Sequence, residues 1–193
     1  MDAVRELIWT GSYGSTTIDQ ICEKAGVKKG SFYYFFDSKA DVAEAALDRE
    51  WERRRPELDA IFSPNGEPLE RLRKYCEHGY RFQSEIRNKC GHVLGCPLFS
   101  LGAEVSTQES KLQKKIQEIL DQKRKYLESA IRDAHAAGSI HVTDVAQKAR
   151  VLFAYYQGLA TNARIENKLE ILKDAIRGTY DVLGVEESEP VAA

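Results

Sequence analysis

The residues best suited to chemistry in this chain are crowded between Lys24 and Lys39. Lys28, Lys29, Ser31, Tyr33 and Tyr34 are close enough to share one side of a short helix, and every one of them carries a hydrogen-bond donor. In that stretch Lys24, Lys28, Lys29 and Lys39 stand against a single acid, Asp37. The whole chain holds 28 Lys and Arg against 30 Asp and Glu, a formal net charge of -2. Any affinity for a polyanion must therefore be local, and this segment is where it is expected. Gly30 sits in the middle of it, at a cost of about 1 kcal/mol in helix propensity. A gain that offsets this cost is close approach of the backbone to a partner.

Other reactive side chains form weaker patterns. Cys90, His92 and Cys96, with Cys76 and His78 nearby in sequence, have the spacing C-x-H-x3-C, which matches no closed zinc pattern. The four cysteines, Cys22, Cys76, Cys90 and Cys96, include no C-x-x-C pair, so reduced thiols are expected rather than a disulfide framework. No G-x-S-x-G, phosphate-loop or H-E-x-x-H motif occurs, and His135 and His141 read as surface groups. Neither catalysis nor a metal or other cofactor is expected; an enzyme or metal-binding module is the reading these patterns leave weakest. There is no apolar run long enough to cross a bilayer and no secretory signal, so the expectation is a cytoplasmic protein without membrane attachment.

These side chains need helices to place them. Val4, Leu7 and Ile8 recur at helical spacing until Gly11 and Gly14. Thr16 or Thr17 is a good N-cap for a second helix, which places Ile18, Ile21, Cys22 and Ala25 on one side and stops at Gly26, where the chain can turn. A third helix spans Lys28 to Phe35, with Val27, Phe32, Phe35 and Phe36 expected against the first two. Ser38 caps a fourth, which Pro56 ends or kinks, and Ser63 to Pro68 is the clearest loop. Further helices are expected over 68–88, 98–105, 109–137, 144–164 and 168–183, with an acidic, frayed tail from Glu186. The last two helices each carry two apolar stripes, which suggests burial on both sides and hence a four-helix bundle formed with a second copy.

The run from Tyr13 through GSTTIDQICEKAGVKKGSFYYFFDSK resembles the N-terminal domain of TetR-family transcriptional regulators. The shared pattern is a Thr-rich cap, an Ala-Gly-Val turn, a Lys-Gly-x-x-Tyr recognition helix and a closing Phe-x-x-Lys. The resemblance implies an all-α chain, with a three-helix helix-turn-helix DNA-binding domain over 1–45 and a larger ligand-binding and dimerisation domain over 46–193. It places Thr17, Lys28, Lys29, Gly30, Ser31, Tyr33, Tyr34 and Lys39 on DNA-contacting positions, Ser31 and Lys29 as base readers and Thr17, Tyr33, Tyr34 and Lys39 as phosphate clamps. It implies a homodimer on a pseudo-palindromic double-stranded operator, acting as a repressor and released by an unidentified small molecule. Tyr75, Phe82, Phe99, Tyr126, Phe153 and Tyr156 are the candidates to line that effector's cavity, with Gln157 or His78 to fix a polar group. Some relatives sense electrophiles or oxidants through cysteine, which makes Cys96, at a helix start, and Cys90 the candidates for a thiol switch. Two departures stand out. Ser12 replaces the usual glycine before Tyr13, and Met1 aligns inside the first helix, so the short basic arm of many relatives lies outside this chain.

Overall fold

Helical periodicity governs the chain throughout: the computed structural model describes residues 1–185, and those residues form helices joined by short turns, with no strand. The helices are α1 (Asp2–Thr10), α2 (Ile18–Ala25), α3 (Lys29–Phe35), α4 (Lys39–Ile61), α5 (Pro68–Cys90), α6 (Pro97–Val105), α7 (Ser110–Ala136), α8 (Val145–Glu166) and α9 (Asp174–Leu183), with a 3-10 segment at Leu169–Lys173. The tail expected to fray from Glu186 lies outside the described residues.

Of the two outcomes expected at Pro56, ending the helix does not occur: the proline lies inside α4. It deprives the Glu52 carbonyl of a partner, but both residues are exposed, so water can satisfy that group. Residues 168–183 do not form one helix. α8 ends at Asn167 in the left-handed conformation (φ 52°), and the chain makes a 3-10 turn before α9 starts. Over five residues the apolar spacing of 3-10 and α-helix is too similar to tell apart. In α3 only Phe32 is buried; Val27 (46% exposed) and Phe35 (72%) face outward. A helix of two turns has room for one core anchor, and the remaining aromatics are left on its surface.

Packing divides the chain into two compact units. The first comprises residues 1–56 and 96–122. Its core gathers Val4, Trp9, Tyr13, Ile21, Phe32, Val42 and Ala43 from α1 to α4 with Leu98, Leu101, Val105, Leu112 and Ile116 from α6 and α7. The second comprises 57–95 and the residues from 123 onward. One of its core clusters is Val93, Ala160, Ala163, Leu169 and Leu172, with Tyr80, Leu159 and Ile171 packed against it.

Within the second unit, α8 is locked to its neighbours by consecutive tyrosines lying over glycines. A Cβ on Gly178 of α9 would fall 1.8 Å from the Tyr155 hydroxyl, and one on Gly79 of α5 would fall 1.6 Å from the Tyr156 hydroxyl. Tyr155 Oη also donates to the Asp174 carbonyl at 3.0 Å. The 91–95 loop is held just as closely. Gln83 accepts from the N–H groups of Leu94 and Gly95 and donates to the Gly95 carbonyl, while Asn167 accepts from Val93 N and donates to the Gly91 carbonyl. Gly178→Ala is expected to lower stability by about 1–3 kcal/mol, because the phenol must leave its place. In urea denaturation the double variant Gly178→Ala/Tyr155→Ala should lose clearly less than the sum of the two single changes; simple additivity would mean that the ring and the glycine do not share this space.

Candidate functional site

Local hydrogen bonds shape the segment that carries the donor-rich face. Thr17 begins α2 with a capping box: its Oγ1 accepts from Gln20 N at 3.2 Å, and Gln20 Oε1 accepts from Thr17 N at 2.8 Å. At the other end Gly26 adopts φ 66°, and the Gly26 and Val27 N–H groups return to the carbonyls of Glu23 and Cys22. Lys28 is extended, and its carbonyl accepts from Ser31 and Phe32, which starts α3 without a side-chain cap. Phe32 then anchors α3, touching Phe36 at a ring separation of 5.7 Å. Lys28, Lys29, Gly30, Ser31, Tyr33 and Tyr34 are all exposed, Tyr34 at 82%. A Cβ added at Gly30 would meet nothing within 4 Å, so nothing in the chain itself requires a glycine there.

The charge on this face is smaller than the lysine count suggests. Lys29 pairs with Asp19 of α2 at 2.8 Å, a hydrogen bond that raises the lysine's pKa. Lys24 pairs with Glu6 of α1 at 2.8 Å. Among the described residues Lys28 has no ion pair.

Lys39 has an internal task. Its ammonium donates to the carbonyls of Tyr13 (2.7 Å) and Thr16 (2.9 Å) and lies 4.2 Å from the centre of the Tyr13 ring. The same loop is gripped from α6. Glu104 accepts from the N–H groups of Tyr13 (3.0 Å) and Gly14 (2.6 Å), and the buried Tyr13 hydroxyl donates to Glu109 at 3.4 Å. Burial, then the Glu109 carboxylate, push the Tyr13 phenol up to about 12, so it stays neutral. Salt bridges join the start of α7 to α4: Lys111 meets Asp41 (2.6 Å) and Glu44 (2.9 Å), and Lys115 meets Asp48 (3.1 Å). Glu104, Glu109 and Lys111 escaped the sequence reading. They lie 67 to 96 residues from their partners, and no local pattern marks such pairs.

Three of the candidate pocket residues, Tyr75, Tyr126 and Tyr156, meet in the second unit, together with Phe62, which was not among them. Tyr75 stacks on Tyr156 (5.2 Å) and on Phe62 (5.6 Å), and Phe62 on Tyr126 (5.2 Å). Tyr126 donates its hydroxyl to Asp59. The next residue of α8, Gln157, is 2% exposed, and its Oε1 has no hydrogen-bond partner among the described residues. Phe153 is buried and Phe82 half-buried in this unit, whereas Phe99 belongs to the first unit. His78 faces Glu57 at 3.6 Å. Of the cysteines, Cys76 is buried against the Thr179 hydroxyl at 3.5 Å, and burial pushes its thiol up to about 11. Cys90 is exposed at the end of α5, and Cys96 is the half-buried residue that precedes α6. Among the described residues no three His, Cys, Asp or Glu side chains gather as a metal site, and no helix is long and apolar enough to cross a membrane.

Known proteins share this arrangement. Residues 1–46 match the family described as bacterial regulatory proteins, tetR family, and residues 68–179 match the tetracyclin repressor-like C-terminal domain. An uncharacterized HTH-type transcriptional regulator from the lacX 3' region of Lactococcus lactis is 23% identical over 190 residues, covering 95% of this chain and 92% of its own. The HTH-type transcriptional repressor NemR of Escherichia coli K12 is 25% identical over 173 residues, 86% of this chain and 82% of that protein. The crystal structure of reduced E. coli NemR superposes with a TM-score of 0.81 over 96% of each chain at 21% identity, a likeness of fold.

The salt bridges of the first unit make its stability pH-dependent. The Asp41 carboxyl is held below its usual range by hydrogen bonds from Lys111 and Ser38. Burial would raise that of Glu50, but Arg53, Arg54 and Arg5 outweigh it and hold it low. A depressed carboxyl contributes stability that is complete above the unfolded pKa of about 4 and is lost as pH falls through the folded value. Melting temperature should therefore be nearly flat from about pH 7 down to about pH 5 and drop below about pH 4. Asp41→Asn should shallow that drop in melts followed by circular dichroism. An acid slope equal to the parent's would show that Asp41 is not among the groups responsible.

Proposed function

The chain belongs to the TetR family and is a DNA-binding transcriptional regulator, and from this we propose that it acts as a homodimeric repressor on a pseudo-palindromic operator, with one α3 in each major groove. The observation that carries the reading is the outward face of α3. It is short, anchored by one buried phenylalanine and otherwise exposed, with donors at Lys28, Lys29, Ser31, Tyr33 and Tyr34 and an unhindered backbone at Gly30. Ser31 and Lys29 are assigned to base edges, and Lys28, Thr17, Tyr33 and Tyr34 to phosphates. Lys39 is proposed to serve DNA chiefly by fixing the loop before α2, because two of its three N–H groups already hold carbonyls. The DNA-reading part is taken to end near residue 45, and the protein to work in the cytoplasm.

The second copy is proposed to dock on α8. Val151, Ala154, Gly158 and Ile165 are exposed at spacings of three, four and seven residues, so they share one side of the helix, and Ile165 is 75% exposed. The effector is proposed to sit among Tyr75, Tyr126 and Tyr156, where the unpartnered Gln157 Oε1 would accept a hydrogen bond from it. A thiol switch at Cys96 or Cys90 is the comparison: if electrophiles release DNA equally from the parent and from Cys96→Ser, Cys96 has no part in it.

Lys28→Ala should weaken binding to specific and random DNA about equally and reduce the salt slope by about one, whereas Ser31→Ala should change the ranking of operator variants. Both are read by fluorescence anisotropy over a salt series; parallel losses for the two variants would undo the division between readers and clamps. Ile165→Glu should yield a monomer in sedimentation and lower affinity for a two-site operator by about a hundredfold, while a single half-site is bound as before. A variant that remains dimeric would remove α8 as the docking face.

A further inference from the structure

The second unit contains a cleft that the aromatic group of Tyr75, Tyr126 and Tyr156 does not line. α5 turns Tyr75 and Gly79 toward Tyr156 of α8, and on its next side turns Cys76 toward Thr179 of α9. On that side, between α5 and the 3-10 segment with α9, lies a space of about 430 Å³, within the usual range for small-molecule sites. Its most deeply buried lining residues are Cys76 and Leu172, and Tyr80 and Ile176 extend the apolar wall. The two most exposed lining residues are both cations, Arg81 and Lys173. Neither forms an ion pair among the described residues, although other arginines of α5 are paired, Arg73 with Glu70 and Glu77 of the same helix and Arg87 with Glu170 of the 3-10 segment. The remaining lining residue, Glu77, is the acid at this site, and Arg73 already holds its carboxylate.

From this combination we propose that the cleft binds a small amphipathic anion, its apolar tail against Leu172, Ile176 and Tyr80 and its anionic head between Arg81 and Lys173. An aliphatic tail gains by leaving water for the apolar wall, and a carboxylate gains charge-assisted hydrogen bonds from two cations that form no ion pair among the described residues, Lys173 feeling the Glu170 carboxylate only at longer range. Cys76 contributes shape and not reactivity, because its thiol is protonated and faces Thr179. The site would hold its ligand whether or not occupancy alters DNA binding, so it stands independently of the effector reading above.

The test is calorimetric titration of the full chain with octanoate, and with octylamine and octanol as probes of equal tail. Saturable binding of one octanoate per chain is expected, with the amine and the alcohol at least tenfold weaker. Arg81→Gln and Lys173→Gln should each weaken octanoate by about fivefold to tenfold. Arg87→Gln, which breaks an exposed pair outside the cleft, should leave it unchanged, and all three variants should melt like the parent. The proposal fails if octanol binds as tightly as octanoate, or if neither cleft variant shifts the affinity. It fails equally if the double variant changes the sedimenting mass but not octanoate binding, since the cleft would then be covered by a second copy of the chain.

Discussion

The grip on Tyr13 is the constraint on which the reading face depends. The loop before α2 has no regular hydrogen-bonding pattern of its own, yet it sets where α2 begins and hence where the turn at Gly26 delivers α3. Glu104 accepts two of the loop's N–H groups, and Lys39 donates to two of its carbonyls while covering the Tyr13 ring. A negative and a positive side chain thus satisfy opposite ends of the loop's peptide groups, around an aromatic ring with only 6% of its residue surface exposed. The Gly14 N–H is exposed and the Tyr13 carbonyl also accepts from Thr16 N, so the groups that depend most on this grip are the Tyr13 N–H and the Thr16 carbonyl.

The same physical device recurs in the second unit. Gln83 and Asn167 use both ends of their amides on the 91–95 loop, and Arg71 holds the Pro64 and Gly66 carbonyls while meeting Asp133. In each case a polar side chain from a helix replaces the hydrogen bonds that an irregular segment lacks. Gln157 breaks that rule: among the described residues its Oε1 is buried without a partner. An orphan acceptor in an otherwise well-satisfied unit, on the residue that follows Tyr156 in α8, is what makes this part of α8 the effector candidate.

Much of the architecture was legible in the residues. The Thr17 cap, the Gly26 turn, the Ser38 cap and the long apolar stripe of α7 depend on short-range rules of hydrogen bonding and helical period, and each occurs where those rules place it. The candidate DNA-contacting residues are each exposed, apart from Lys39. Its ammonium is drawn inward by two carbonyls 23 and 26 residues earlier in the chain, a pull that the spacing Phe-x-x-Lys does not reveal. The candidate pocket was only partly legible, because a buried aromatic in the core and one lining a site have the same periodicity. Tyr75, Tyr126 and Tyr156 come together, Phe62 joins them unannounced, and Phe99 packs in the other unit.

Residue order therefore decided what is local: where helices start and stop, which face of each is apolar, and which short helix presents donors. Folding in three dimensions decided what is distant. It paired Lys29 with Asp19 and Lys24 with Glu6, so that the reading face keeps less free charge than its composition promises. It brought Glu104 to Tyr13, and left Arg81 and Lys173 outside any ion pair among the described residues, beside an apolar cleft. The physical reason is range. Capping and periodicity act over about one helical turn, whereas charge pairing and cavity formation depend on which surfaces close against one another after the helices exist.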